Sequence, residues 1–147
     1  MKIQDVMTRD PSCVTPDSPA RDAARIMKEE DVGIVPVVDD QSSRKLVGVV
    51  TDRDLAIRIV AAERDGAMRV GEVMSKSGLA TCSPDEDIDK AMDAMAAEQV
   101  RRIPIVDERG SLVGIVSQAD VVLKVGHDDK VERTVEQISE PGGRHQS

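Results

Sequence analysis

Leu46-Val47-Gly48-Val49-Val50-Thr51 and Leu112-Val113-Gly114-Ile115-Val116-Ser117 are one six-residue pattern written twice, with an aspartate three positions beyond each, at Asp54 and Asp120. Three further blocks precede it in the same order in each copy. Asp5-Val6-Met7 returns as Glu72-Val73-Met74, Thr15-Pro16-Asp17 as Ser83-Pro84-Asp85, and Val35-Pro36-Val37-Val38-Asp39 as Ile103-Pro104-Ile105-Val106-Asp107. Four matching blocks at a period of about 67 residues identify an internal duplication, which must be read before any single element.

Within each copy the apolar period alternates. After Pro16-Asp17-Ser18-Pro19, a helix-opening segment, Ala20, Ala23, Ala24 and Met27 fall at the spacing of one buried helical face. Ile88, Ala91, Met92 and Met95 repeat that spacing. Two short apolar runs follow, Ile34 to Val38 and Leu46 to Val50, split by the polar loop Asp39 to Lys45, which predicts a β-hairpin. A last helix starts after Thr51 with Leu55, Ile59 and Ala62 inward, and Val121, Val122 and Val125 are their counterparts. Each copy thus reads strand, helix, strand, strand, helix, an α+β arrangement of small sheets covered by helices. The expected division is 1–62 for the first repeat, 70–126 for the second, and 127–147 for a C-terminal helix and a frayed tail. A unit of about 60 residues buries too little surface to stand comfortably alone, so the pair is expected to fold together.

Composition narrows the function. The 147 residues carry 20 Lys and Arg against 28 Asp and Glu, a net charge of −8, which repels a phosphate backbone and makes nucleic acid a poor partner. No apolar run approaches the roughly 20 residues that span a bilayer, and Met1-Lys2-Ile3-Gln4-Asp5 lacks the apolar stretch of a signal peptide, so a cytoplasmic protein without a membrane partner is expected. Cys13 and Cys82 have no CxxC spacing, and His127 and His145 are the only possible histidine co-ligands, so no metal site is expected. The chain has no Phe, Tyr or Trp, hence any base it binds must lie between aliphatic side chains.

Taken together, the Asp-Val-Met block, the proline-led helix, the apolar-Pro-apolar strand ending in Asp and Leu-Val-Gly-Val-Val-Thr-Asp-Arg-Asp resemble the CBS-domain family, whose tandem pairs are called Bateman modules. The resemblance covers 1 to about 126 and extends to small stand-alone CBS-pair proteins. It implies two CBS (βαββα) repeats related by a pseudo-twofold axis. It also implies a regulatory or sensory role, binding of AMP, ADP, ATP or S-adenosylmethionine in the cleft between repeats, and a homodimer.

The segment Thr51-Asp52-Arg53-Asp54 and its counterpart Ser117-Gln118-Ala119-Asp120 support two readings. One is a capping box, in which the hydroxyl and the acid satisfy free helix N–H groups. The other is a ligand cradle, because a helix start favours a phosphate. The resemblance implies that Asp54 and Asp120 accept the two ribose hydroxyls while Thr51 and Ser117 lie near phosphates. Arg53 and Arg102 are candidate phosphate cations or solvated surface residues. A base would rest on Val14, Val35, Pro36, Ile103 and Pro104, with the backbone of Cys13 to Thr15 and Thr81 to Ser83 reading its edge. The copies diverge at Arg53/Ala119 and Ile34/Arg102, which predicts unequal sites with the Thr51 to Asp54 segment the better one.

No glycine-rich phosphate loop, nucleophile elbow or metal motif appears, so an enzyme is not expected and no cofactor is required beyond a possible adenine nucleotide ligand. The alternative from another class is a ligand-free dimerisation or interaction scaffold acting on an unknown effector protein. A third reading makes Cys13 and Cys82 redox-responsive, although Cys82 aligns with Val14 rather than with Cys13.

Overall fold

The structure, a computed structural model, describes residues 1–125, so the C-terminal helix and tail expected at 127–147 lie outside the described residues. The elements run as a 3-10 turn Ile3–Asp5, β1 Thr8–Arg9, α1 Ala20–Glu30, β2 Ile34–Val38, β3 Leu46–Thr51 and α2 Asp52–Leu55, which continues as a π-helical turn Ala56–Val60. The second half follows with α3 Val70–Val73, α4 Ile88–Glu98, β4 Arg102–Val106, β5 Leu112–Ser117 and α5 Gln118–Val125.

Both hairpins form in the register that their apolar runs demand. β2 pairs antiparallel with β3 from Ile34↔Thr51 to Val37↔Gly48, and β4 with β5 from Arg102↔Ser117 to Ile105↔Gly114. An irregularity falls at the same place in each, between Val37 and Val38 and between Ile105 and Val106. The preceding helices stop alike, on left-handed residues Asp31 and Gln99, each with φ 54°. In α4 all four expected residues, Ile88, Ala91, Met92 and Met95, are buried. In α1 only Ala20 and Ala23 of the expected face are buried and Met27 is half-buried, while Ala24 is exposed. The larger side chains of Ile26 and Met27 take the remaining contact with the core, which turns the inward stripe away from Ala24. Ala62 is likewise exposed, because the π-helical turn ends the helix before it.

The chain forms two compact units that partition it differently from the sequence repeats. One is Ser12–Leu79, and the other joins Met1–Pro11 to the chain from Ala80 onward. Each repeat's opening segment therefore completes the other repeat's unit. Ile3 and Gln4 donate their N–H groups to the carbonyls of Glu86 and Pro84, both at 2.9 Å, and β1 pairs with β5 through Thr8↔Ile115 and Arg9↔Gly114. In the other unit, Val70 and Gly71 donate to the carbonyls of Ser18 and Pro16 at 2.8 and 2.9 Å, and Ser75 exchanges two backbone bonds with Val49 at 2.7 and 3.0 Å.

The cores follow the same partition. Ile3 and Val6 pack with Ile88, Met92, Met95, Ile103, Ile105 and Val116; Val70, Val73 and Met74 pack with Val14, Ala23, Val35, Val37 and Val50. Full burial of an aliphatic side chain is worth about 1.5–3 kcal/mol, so three borrowed residues are a large part of a small unit's stability. The exchange also explains the glycine in each repeated hexapeptide. A Cβ on Gly48 would lie 2.8 Å from the Ser75 carbonyl oxygen, and one on Gly114 would meet Met7 Sδ at 2.5 Å and the Thr8 carbonyl at 3.0 Å.

Gly48→Ala must displace backbone, whereas Gly114→Ala chiefly displaces a flexible methionine. Overpacking of this kind costs about 1–3 kcal/mol. Urea denaturation should show Gly48→Ala at the upper end of that range and Gly114→Ala at the lower.

Candidate functional site

The two hydroxyl–carboxylate segments stand at equivalent places, each where a strand turns directly into a helix. At Thr51 the turn is a complete capping box. Thr51 Oγ1 accepts from the Asp54 N–H at 3.1 Å, and the Thr51 N–H donates to Asp54 Oδ2 at 2.9 Å. Thr51 and Asp54 are 5% and 8% exposed, so both are held inside the unit. Two residues absent from the sequence reading complete this carboxylate's surroundings. Ser75 Oγ lies 3.2 Å from both Oδ1 and Oδ2, and Arg58 Nε lies 3.9 Å from Oδ1. Arg58 Nη1 also donates to the carbonyls of Val73 and Met74 at 3.1 Å each.

The Ser117 counterpart is looser. Ser117 Oγ accepts from the Asp120 N–H at 3.0 Å, but the return bond from the Ser117 N–H to Asp120 Oδ2 stretches to 3.4 Å. Asp120 is half-buried. Arg53 is exposed on α2, and Arg102 is half-buried at the start of β4, paired across the sheet with Ser117.

Thr51 pairs with Ile34 at the start of β2, Val35 and Pro36 follow on that strand opposite Val50 and Val49, and Val14 flanks the other edge of β2, its N–H donating to the Pro36 carbonyl at 3.1 Å. Beside Ser117 stand Ile103 and Pro104, with the Cys82 N–H donating to the Pro104 carbonyl at 3.3 Å. All five apolar candidates are buried. Much of the backbone proposed to read a base edge is already engaged. The N–H groups of Val14 and Cys82 serve strands, Thr15 N–H donates to Ser18 Oγ at 3.0 Å, and Ser83 N–H donates to Glu86 Oε1 at 2.8 Å. Asp39 and Asp107 close their own loops: Asp39 Oδ1 accepts from Ser43 Oγ at 2.6 Å and Lys45 N–H at 2.9 Å, and Asp107 Oδ1 accepts from the N–H groups of Arg109 and Ser111, both at 2.9 Å.

The family model described as CBS domain matches the chain twice, over residues 3–61 and 70–127. The chain belongs to the CBS-domain family. A CBS domain-containing protein of Bacillus subtilis, YhcV, is 37% identical over 137 residues, covering 93% of this chain and 94% of that protein. Among solved structures, Hypoxic Response Protein I with two coordinated zinc ions superposes at a TM-score of 0.74 with 31% identity, covering 84% of this chain and 98% of that one. CBSX2 in complex with AMP superposes at 0.70 with 30% identity, covering 84% and 95%.

Among the described residues of this CBS pair, no three His, Cys, Asp or Glu side chains gather as a metal site, and no helix is long and apolar enough to cross a membrane. His127 and His145 lie outside the described residues. Both cysteines are free thiols. Cys82 bridges in parallel to Ile105 just as Val14 bridges to Val37, so it fills a core valine's place in the second CBS repeat. Burial pushes its thiol up to about 11, with Glu86 adding to the effect and Lys90 opposing it. Burial also raises the Cys13 thiol, against Arg44 and the Gln41 contact.

Asp54→Ala removes a cap and the partner of Ser75 and Arg58, and should cost about 2–4 kcal/mol of unfolding free energy; Asp120→Ala, losing chiefly a cap, should cost about 0.5–1.5 kcal/mol. Denaturant titration of the two variants checks the order. The Cys82 thiol ionises near 9.0 in the unfolded chain and near 11 when folded, so its contribution is complete below pH 9 and is lost as pH rises toward 11. Cys82→Val, the residue type of Val14, should lose less stability between pH 9 and 11 than the wild type.

Proposed function

We propose that this CBS pair is a regulatory sensor that binds an adenosine-type ligand, of the class AMP, ADP, ATP or S-adenosylmethionine, and is not an enzyme. The observation that carries this reading is the recurrence, in both repeats, of a hydroxyl and a carboxylate at a strand-to-helix turn beside a buried valine or isoleucine and a proline. A carboxylate has two acceptor oxygens for a vicinal diol, and the turn's N–H groups and partial positive charge favour phosphate. Thr51 and Ser117 would lie near phosphate, Asp54 and Asp120 would hold ribose, and Arg53 and Arg102 would supply cations. Val14, Val35 and Pro36 in one unit, and Ile103 and Pro104 in the other, would supply apolar surface for a base. AMP in the CBSX2 structure supports the ligand class. Such a sensor, acting as a cytoplasmic homodimer on a separate effector protein, needs a ligand that binds two arrangements unequally.

A second reading, a ligand-free dimerisation or interaction scaffold, draws on the apolar side chains left in water. Ile57 and Val60 are 47% and 74% exposed, and Leu123 on α5 is 83% exposed. Ile57 and Leu123 follow Thr51 and Ser117 by the same interval, so each repeat presents an apolar residue at the same helical position.

The absence of Trp and Tyr makes the two readings separable. A co-purified nucleotide should appear as an absorbance band near ~260 nm over an almost transparent protein. Ligand at ~100 times its dissociation constant should stabilise the fold by ~2.7 kcal/mol in thermal melts. The double variant Asp54→Ala/Asp120→Ala should lose both signals. No band and no shift with AMP, ADP, ATP or S-adenosylmethionine would leave the scaffold reading standing.

A further inference from the structure

The two carboxylates face their surroundings differently, and the difference lies in the exchanged segments. A vicinal diol binds a carboxylate by donating one hydroxyl to each oxygen, which places the diol across the open fork between them. In the Ser12–Leu79 unit that position is taken. Ser75 Oγ is 3.2 Å from Oδ1 and 3.2 Å from Oδ2 of Asp54, a placement across the fork, while the Thr51 N–H holds Oδ2 at 2.9 Å. Arg58 strengthens the arrangement by binding the carbonyls of Val73 and Met74, the two residues that lead into Ser75.

The other unit has the same strand geometry without the same occupant. Ser75 sits opposite Val49 and Thr8 opposite Ile115, equivalent positions in the two hexapeptides, so Thr8 is the structural counterpart of Ser75. Thr8 is exposed, and among the described residues the hydrogen bond to the Asp120 carboxylate comes from the Ser117 N–H alone. Lys124 stands where Arg58 stands in the first repeat, and an ammonium lacks the planar fork that grips two carbonyls and a carboxylate at once.

We propose that Ser75 is a specificity-determining residue whose hydroxyl competes with a ribose diol for Asp54. An adenosine-type ligand accordingly takes the Ser117–Asp120 cradle first and reaches Asp54 only when Ser75 turns away. This rests on the adenosine reading above and reverses the site order suggested by Arg53/Ala119. It also makes ligand at Asp54 oppose the hold on Met74–Ser75, the segment by which the second repeat completes the first repeat's unit.

Isothermal titration with AMP on the full chain tests the assignment. In the wild type, Asp120→Asn should weaken the tighter binding event ~10- to 100-fold. Asp54→Asn, which keeps an acceptor for the Thr51 N–H, should leave that event within about twofold. Ser75→Ala should tighten the weaker event ~2- to 12-fold, the range of one net hydrogen bond, while Ser75→Thr, which keeps the hydroxyl, should match the wild type. Equal losses from Asp54→Asn and Asp120→Asn, or a weaker event unmoved by Ser75→Ala, would overturn the gating role and leave the adenosine reading intact. Absence of AMP binding in the wild type and in Ser75→Ala alike would overturn both.

Discussion

Everything in this fold depends on a lent segment of chain. Each hairpin, β2–β3 or β4–β5, is only two strands wide, and such a ribbon with its helices leaves apolar surface that no residue of its own repeat covers. The cover comes from the opening segment of the other repeat: Ile3 and Val6 on one core, Val70, Val73 and Met74 on the other. For the lent backbone to come close enough to hydrogen-bond, the strand it crosses must lack a side chain, and Gly48 and Gly114 meet that demand. The same crossing delivers Ser75 to Asp54, so the condition for folding and the surroundings of the carboxylate proposed to hold ribose share a single backbone contact.

Much of this was readable in the sequence, because hairpins and helices are local. The apolar runs located β2 through β5 to within a residue, and the α4 face was correct at every position. Where the reading failed, competition among neighbours decided the outcome. Ala24 offered a small apolar surface, and Ile26 and Met27, with more to bury, turned the helix their way. The exchange of opening segments was not legible at all, since a tandem repeat has the same pattern whether its first strand joins its own sheet or its twin's. At the site, Thr51-x-x-Asp54 announced both a cap and a cradle, and the cap is present in full. Ser75 and Arg58 were missed because the segment carrying Ser75 is distant in sequence and Arg58 reads as a surface residue. The available signal was faint: a hydroxyl residue follows Val-Met in both copies, as Thr8 and as Ser75.

Comparison of the copies separates what packing enforces from what it permits. Core positions exchange one small apolar group for another, as Val14 and Cys82 do, because volume at near-crystalline density leaves little choice. Polar positions at the turns vary freely: Arg58 becomes Lys124, Arg53 becomes Ala119, Ser75 becomes Thr8. Duplication has thus kept one scaffold and differentiated its two carboxylates by changing what surrounds them.

The lent segments also set an order of events for a chain made from its N-terminus. The Ser12–Leu79 unit is continuous in sequence, so all of its parts are available once Leu79 has been added. The other unit is divided. Thr8 is synthesised roughly a hundred residues before Ile115, its partner in β5. Until β5 exists, Ile3 and Val6 have no complete core to enter, so their burial waits for the second repeat.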